Sequence, residues 1–278
     1  MRTRIMIAAD SGCGKTHAAL SFASERLLKE PDLPVFVIDL DDSMDYEIDK
    51  FPDVKAKLTN DKGLPQNWYK IADYEGLMTA VTKAQQVLAK GGVLIIEGLE
   101  RGWELAQDTF TEAVFGKSSG EHLQSLRASA VAQTRLQAPV SYDNARDWPS
   151  IRKLWKNNVL VPLTTACPWD VVATCSAKKI VALDSQGEKF NVNPFIKGIF
   201  GDIGIAPEGE KSDVKRFDLA VCLGMNGGIY LFSIAKNRTG TGVRPSEVRW
   251  TNRPFLATLE NALKGEKEDA GAEPDGTG

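Results

Sequence analysis

The chain has 278 residues, with 42% hydrophobic content and a formal net charge of −3. That is enough apolar material for one large α/β domain, or one domain with a small appendage. No apolar run approaches the ~18–20 residues a membrane span needs. The four cysteines (Cys13, Cys167, Cys175, Cys222) have no C-x-x-C spacing, and only Cys13 has a histidine, His17, within a few residues. Structural zinc is thereby disfavoured, and reduced thiols in a cytoplasmic setting are expected. The chain opens on strand-like residues, so no targeting segment is expected.

The charge is unevenly spread. The last 15 residues, from Lys264, carry two lysines and five acids and account for the whole net charge. They are poor in apolar residues, so a disordered acidic tail is expected over 264–278, after one domain over 1–263. Residues 117–156 hold seven cations (Lys117, Arg127, Arg135, Arg146, Arg152, Lys153, Lys156) against Glu121, Asp143 and Asp147. The overall charge therefore neither supports nor excludes a nucleic-acid partner.

In chain order, residues 3–8 read as a short buried strand and 15–29 as a helix with apolar residues at helical spacing. "PVFVIDLDD" (34–42) is a second strand whose continuous apolar run suits a parallel sheet covered on both faces. Residues 68–73 give a third strand, 74–90 an amphipathic helix closed by Gly91 and Gly92, and 93–98 a fourth strand. A helix follows over about 99–115, with Trp103 expected to be buried. "DWPSIRKLWKNN" reads as an amphipathic helix packing Trp148, Ile151 and Trp155 inward. "WDVVATCSA" (169–177) is a fifth strand, with Thr174 and Ser176 at its end and Lys178 and Lys179 beyond. "DLAVCLG" and "IYLFSIAK" form a terminal hairpin around Asn226-Gly227, and 254–264 a last helix. Segments 116–147 and 178–212 lack clear periodicity and are expected to be mobile or functional. The fold class implied is α/β, with a mostly parallel sheet flanked by helices and a C-terminal antiparallel hairpin.

The most informative stretch joins the first strand to the first helix. Ala9-Asp10-Ser11-Gly12-Cys13-Gly14-Lys15-Thr16 is one residue from the phosphate-loop pattern G-x-x-x-x-G-K-[ST]. Gly12 and Gly14 let successive amides turn inward toward phosphate oxygens, and the helix start adds partial positive charge. Lys15 suits the β- and γ-phosphates of ATP, and the Thr16 hydroxyl suits Mg²⁺. Ala9 stands where the pattern has glycine, so that position must have ordinary backbone angles. His17 adjoins the loop. The plainer alternative is a strand-to-helix corner with a solvated lysine.

A magnesium site of this kind needs an acid at the end of a neighbouring strand, and Glu97 ends "VLIIEG". It could equally cap the next helix. A base to orient water is available among Asp39, Asp41 and Asp42, which cluster after the second strand.

These features together resemble the RecA-like P-loop ATPases. By that resemblance Asp41 falls at the family's catalytic glutamate, and Thr174 or Ser176 would sense the γ-phosphate. "SIAKNRTGTG" (233–242) is similar to the K-N-R-x-G element of DnaB-type replicative helicases and RadA/Sms-type recombination proteins. The resemblance implies that Lys236 and Arg238 act on a neighbouring subunit's ATP, and hence a homo-oligomer. A sheet-edge loop discouraging aggregation is the simpler account of those cations. The layout also resembles small phage ATPases that work with recombination proteins, which implies hydrolysis coupled to single-stranded DNA. Two other functions fit the residues: a small-molecule phosphotransferase, and a weakly hydrolysing switch that recruits partners.

Overall fold

The computed structural model describes residues 2–132, 142, 146–180, 193–245, 247–251 and 253–265. Along the chain the elements are β1 (Arg4–Ala9), α1 (Lys15–Lys29), β2 (Val35–Asp39), α2 (Pro52–Leu58), β3 (Trp68–Lys70), α3 (Tyr74–Val87) and β4 (Val93–Glu97). Next come α4 (Leu99–Phe115), α5 (Ser119–Ala132), α6 (Asp147–Trp155), α7 (Val161–Thr164), β5 (Asp170–Lys179), α8 (Pro194–Phe200) and β6 (Ile205–Pro207). The chain then forms β7 (Leu219–Asn226), β8 (Ile229–Asn237), β9 (Val248–Arg249) and α9 (Phe255–Lys264). Single 3-10 turns at Ser43–Tyr46 and Asp213–Arg216 matter below.

One mixed sheet runs in the order β3-β2-β4-β5-β1-β7-β8-β9, with β6 added to the far end of β5. Strands β3 through β7 of that order are parallel. β8 and β9 close it antiparallel, β7 and β8 meeting through a two-residue turn. The mostly parallel α/β architecture and the C-terminal hairpin are thus as the sequence implies.

Alternate residues of each strand feed opposite helical layers. On one face α1, α2 and α9 cover Ile5, Ile7, Val35, Val37, Ile95 and Val172. On the other, α3, α4 and α6 cover Met6, Ala8, Phe36, Ile38, Leu94 and Ile96. This two-sided burial is why the central strands are apolar without alternation. Among the described residues no helix is long and apolar enough to cross a membrane.

Trp103, Ile151 and Trp155 are buried as expected. Trp148 is half-buried and stacks on Trp103, ring centroids 6.1 Å apart. The two segments read as aperiodic contain structure: α5 lies in the first, and the end of β5, α8 and β6 lie in the second. Residues 133–141, 143–145 and 181–192, with Arg135 and Asp143, lie outside the described residues, as does the acidic tail beyond Gly265.

Register sets the next level. Asp39 pairs with Glu97, and Ala9 with Ser176, so the carboxyl ends of β1, β2 and β4 open along one edge of the sheet. That edge is where open α/β sheets hold ligands.

Candidate functional site

The turn between β1 and α1 is built by two glycines in the left-handed region, Gly12 at φ 78° and Gly14 at φ 82°. A β-carbon at either would be strained. At Gly14 it would also meet the Trp250 and Tyr230 rings at 3.4 Å. Cys13 N donates to Asp10 O at 3.4 Å, and Ala18 N to Gly14 O at 2.9 Å, so the turn passes directly into the helix. Ala9 is fully buried as the last residue of β1, away from positive φ, which is why alanine serves where the pattern has glycine.

Lys15 folds back over its own loop. Its Nζ donates to Ala9 O at 3.1 Å and Asp10 O at 3.3 Å. Thr16 Oγ1 donates to Glu97 Oε1 at 2.7 Å, and Ser43 Oγ donates to the same oxygen at 3.0 Å. Glu97 is wholly excluded from solvent, and its Oε2 has no hydrogen-bond partner. Burial, with Asp41 adding negative charge, raises its pKa to about 7, against the opposing bonds from Thr16 and Ser43. A buried carboxylate with one orphaned oxygen is costly unless a cation or donor answers it.

The three aspartates after β2 separate. Asp39 points into the fold, where Trp68 Nε1 donates to its Oδ2 at 3.1 Å; burial raises its pKa to about 6. Asp42 is exposed, with Lys70 Nζ at 3.8 Å. Asp41 alone of the three borders the cavity, where its side chain packs over Gly98 and its Oδ1 accepts from Ser43 N at 3.2 Å.

The cavity has a volume of about 470 Å³. Ser11, Gly12, Gly14, Lys15, Thr16, His17, Asp41 and Glu97 border it, which brings most of the sequence-derived set together. Ala9, Asp10 and Cys13 shape the loop from outside the lining. His17 Nδ1 lies 3.5 Å from Glu47 Oε2. Sequence reasoning missed Ser43, Glu47 and Lys50, and also Tyr230, Trp250, Thr251 and Arg253, which complete the lining. No spacing rule joins residues more than 200 positions apart.

The remaining sequence-derived residues lie away from the cavity lining. β5 does not end near Thr174: it continues to Lys179. Thr174 is fully buried inside the strand, and its Oγ1 accepts from Gly98 N at 3.1 Å. Ser176 N donates to Glu100 Oε1 at 2.9 Å. Lys178 and Lys179 are exposed on the extension that pairs with β6.

Lys236 and Arg238 lie at the other end of the sheet. Lys236 pairs with Ala220, and Arg238 N donates to Asp218 O. Asp218 is itself level with Arg4 at the start of β1, about 17 Å from the loop at ~3.3 Å per residue. Lys236 is buried, and its Nζ donates to Val214 O at 2.5 Å and to Phe217 O. Desolvation lowers its pKa to about 8. Arg238 is exposed, its Nη1 donating to Lys215 O at 3.3 Å.

Among the described residues no three His, Cys, Asp or Glu side chains cluster to hold a metal ion. The hydroxyl of Thr16 and the orphaned oxygen of Glu97 suit a hard, oxygen-seeking cation such as Mg²⁺, completed by phosphate oxygens and water. The chain matches no protein-family model and no curated protein.

Proposed function

We propose that this chain is a RecA-like, magnesium-dependent ATPase that works as a homo-oligomer on single-stranded DNA in recombination or replication. One observation carries the nucleotide reading. A two-glycine turn, a lysine folded over it and a threonine bonded to a buried strand-end carboxylate meet at one cavity at the carboxyl edge of a parallel sheet. Such a turn presents amides, a helix start and an ammonium group to phosphate oxygens.

In this reading Lys15 leaves the carbonyls of Ala9 and Asp10 and binds the β- and γ-phosphates. Thr16 and Glu97 are the residues that would hold Mg²⁺, Glu97 partly through water. The ion, when bound, neutralises charge on the phosphate oxygens. Asp41 holds Ser43 N with Oδ1, and its carboxylate orients the attacking water and takes its proton. Arg238, at the far end of the sheet, suits a role on another copy's triphosphate, because it is remote from its own cavity. The exposed Lys178 and Lys179, with Lys211 and Lys215, favour a polyanionic partner.

The test is calorimetry and turnover. Wild-type protein should bind Mg-ATP with measurable heat and release phosphate, faster with single-stranded DNA. Lys15→Ala should lower turnover by at least 100-fold with little change in melting temperature. Folded wild-type protein that binds no purine triphosphate would end this reading; transfer of phosphate to a small acceptor would replace it with a kinase.

A further inference from the structure

The cavity has two unlike ends. One is the polar constellation of Lys15, Thr16, Glu97 and Asp41. The other is a wall contributed by β8 and the segment after β9: Tyr230, Trp250, Thr251 and Arg253. The phosphate chemistry uses only the first. We propose that the second end is a nucleobase subsite, with the Tyr230 ring as the stacking surface and Trp250 as the rigid backing that holds it in place. This rests on the nucleotide reading above and extends it to residues far away in sequence.

Three observations support the wall as a preformed surface. First, it abuts the phosphate loop: both rings come within van der Waals contact of the position a Gly14 β-carbon would take. A ligand whose phosphates occupy the loop therefore meets these side chains next. Second, the wall is fixed. Trp250 is 3% exposed, wedged between His17, Tyr230 and Phe255 at ring-centroid distances of 6.0, 5.6 and 5.4 Å. Its backbone N donates to Tyr230 O at 3.0 Å, and Tyr230 N donates to Thr251 Oγ1 at 2.6 Å. Third, Tyr230 is only partly buried while Trp250 is almost wholly buried, so of the two lining rings Tyr230 has the more accessible face. A planar aromatic face, held still and beside a phosphate cradle, is what a base requires and what an inorganic phosphate chain cannot use.

The chemistry predicts a difference between ligands that share phosphates and differ in the base. Stacking of a base on an aromatic side chain corresponds to roughly a 5- to 160-fold change in affinity on removal of the ring. The experiment measures binding of ATP and of inorganic tripolyphosphate, each with Mg²⁺, to wild type, Tyr230→Ala and Tyr230→Phe. Wild type should bind ATP at least 10-fold more tightly than tripolyphosphate. Tyr230→Ala should lose most of that margin while binding tripolyphosphate as before, and Tyr230→Phe should keep it. ATP, but not tripolyphosphate, should change the tryptophan fluorescence of wild type, and Trp250→Phe should remove that change. An unchanged ATP affinity in Tyr230→Ala overturns the subsite, as does an equal loss for both ligands. If neither ligand binds to wild type, the phosphate reading fails and takes the subsite with it. If tripolyphosphate binds as tightly as ATP, only the subsite is lost.

Discussion

Glu97 shows how far a single side chain's environment decides its role. Its carboxyl is fully buried, accepts two hydroxyl protons on one oxygen and leaves the other unanswered. Desolvation raises its folded-state pKa to about 7, above the ordinary value of 4.5. The sign follows directly. Between those two values the folded protein binds more protons than the unfolded chain, so this group's contribution becomes destabilising as pH rises from about 4.5 to about 7. Glu97→Gln removes the ionisation cost and leaves the packing. In the ligand-free protein it should raise the melting temperature at pH 8 by several degrees, and change it little at pH 4.5. The two hydroxyls facing Oε1 are the same at both pH values, so an equal shift at both would assign the effect to hydrogen bonding instead. The bound state should reverse the preference: ionised Glu97 suits a cation, so binding of Mg-ATP near pH 6.5 should release protons in wild type and fewer in Glu97→Gln. Glu97 was legible in the sequence as an acid closing an apolar strand. Ser43, which shares its oxygen, was not, because a serine in an acidic loop has no pattern to distinguish it.

At the scale of elements, the sequence was most informative where one residue type enforces one geometry. α1 and α4 begin and end where expected, because left-handed Gly14 starts α1, left-handed Gly98 and Gly116 bound α4, and apolar residues recur at helical spacing. α5 carries weak apolar periodicity, and α8 is only seven residues long, so neither leaves a readable trace. β6 exists because β5 overruns the sheet edge, a tertiary fact. Gly102 is a further case. In the first turn of α4 it is a weak helix former, and alanine should favour the helix by up to about 1 kcal/mol. In the fold, its β-carbon would lie 2.7 Å from the Trp155 ring. Trp155 is fully buried and donates to the buried Asp213 at 2.9 Å, so the ring cannot swing aside without leaving a carboxyl unpartnered. Gly102→Ala should therefore destabilise the protein, by about 1–3 kcal/mol in urea unfolding, because overpacking exceeds the propensity gain. Equal or greater stability would show that α4 and α6 can separate at little cost.

Across the whole molecule, strand β8 connects two distant regions. Its first residues, at Tyr230, border the cavity, and its last lead to Arg238 about 26 Å away along the strand at ~3.3 Å per residue. The K-N-R element was legible as a chemical pattern, but its two cations have separate fates, because which side of a strand end faces the interior depends on packing. Lys236 binds the carbonyls of Val214 and Phe217 and so fixes the turn that precedes β7. Replacing it with methionine removes donors from two buried carbonyls, so Lys236→Met should lower stability by about 1–3 kcal/mol even without nucleotide. Arg238 is exposed and makes one long bond to Lys215 O, so Arg238→Ala should leave stability nearly unchanged. If Arg238 serves a neighbour's triphosphate, Arg238→Ala abolishes turnover in a uniform assembly while ATP still binds. Lys15→Ala fails for the opposite reason: it cannot use its own site but still offers Arg238. Mixed together after dissociation and reassembly, the two inactive proteins should regain turnover, reaching about a quarter of the wild-type rate at equal amounts if each active site needs one intact Lys15 and one intact neighbouring Arg238 and subunits mix at random. Mass measurement must show a mixed oligomer in the same sample. A mixed oligomer with no regained activity at any ratio would confine Arg238 to its own chain, and the basic end of the sheet would then be a surface feature rather than part of a shared site.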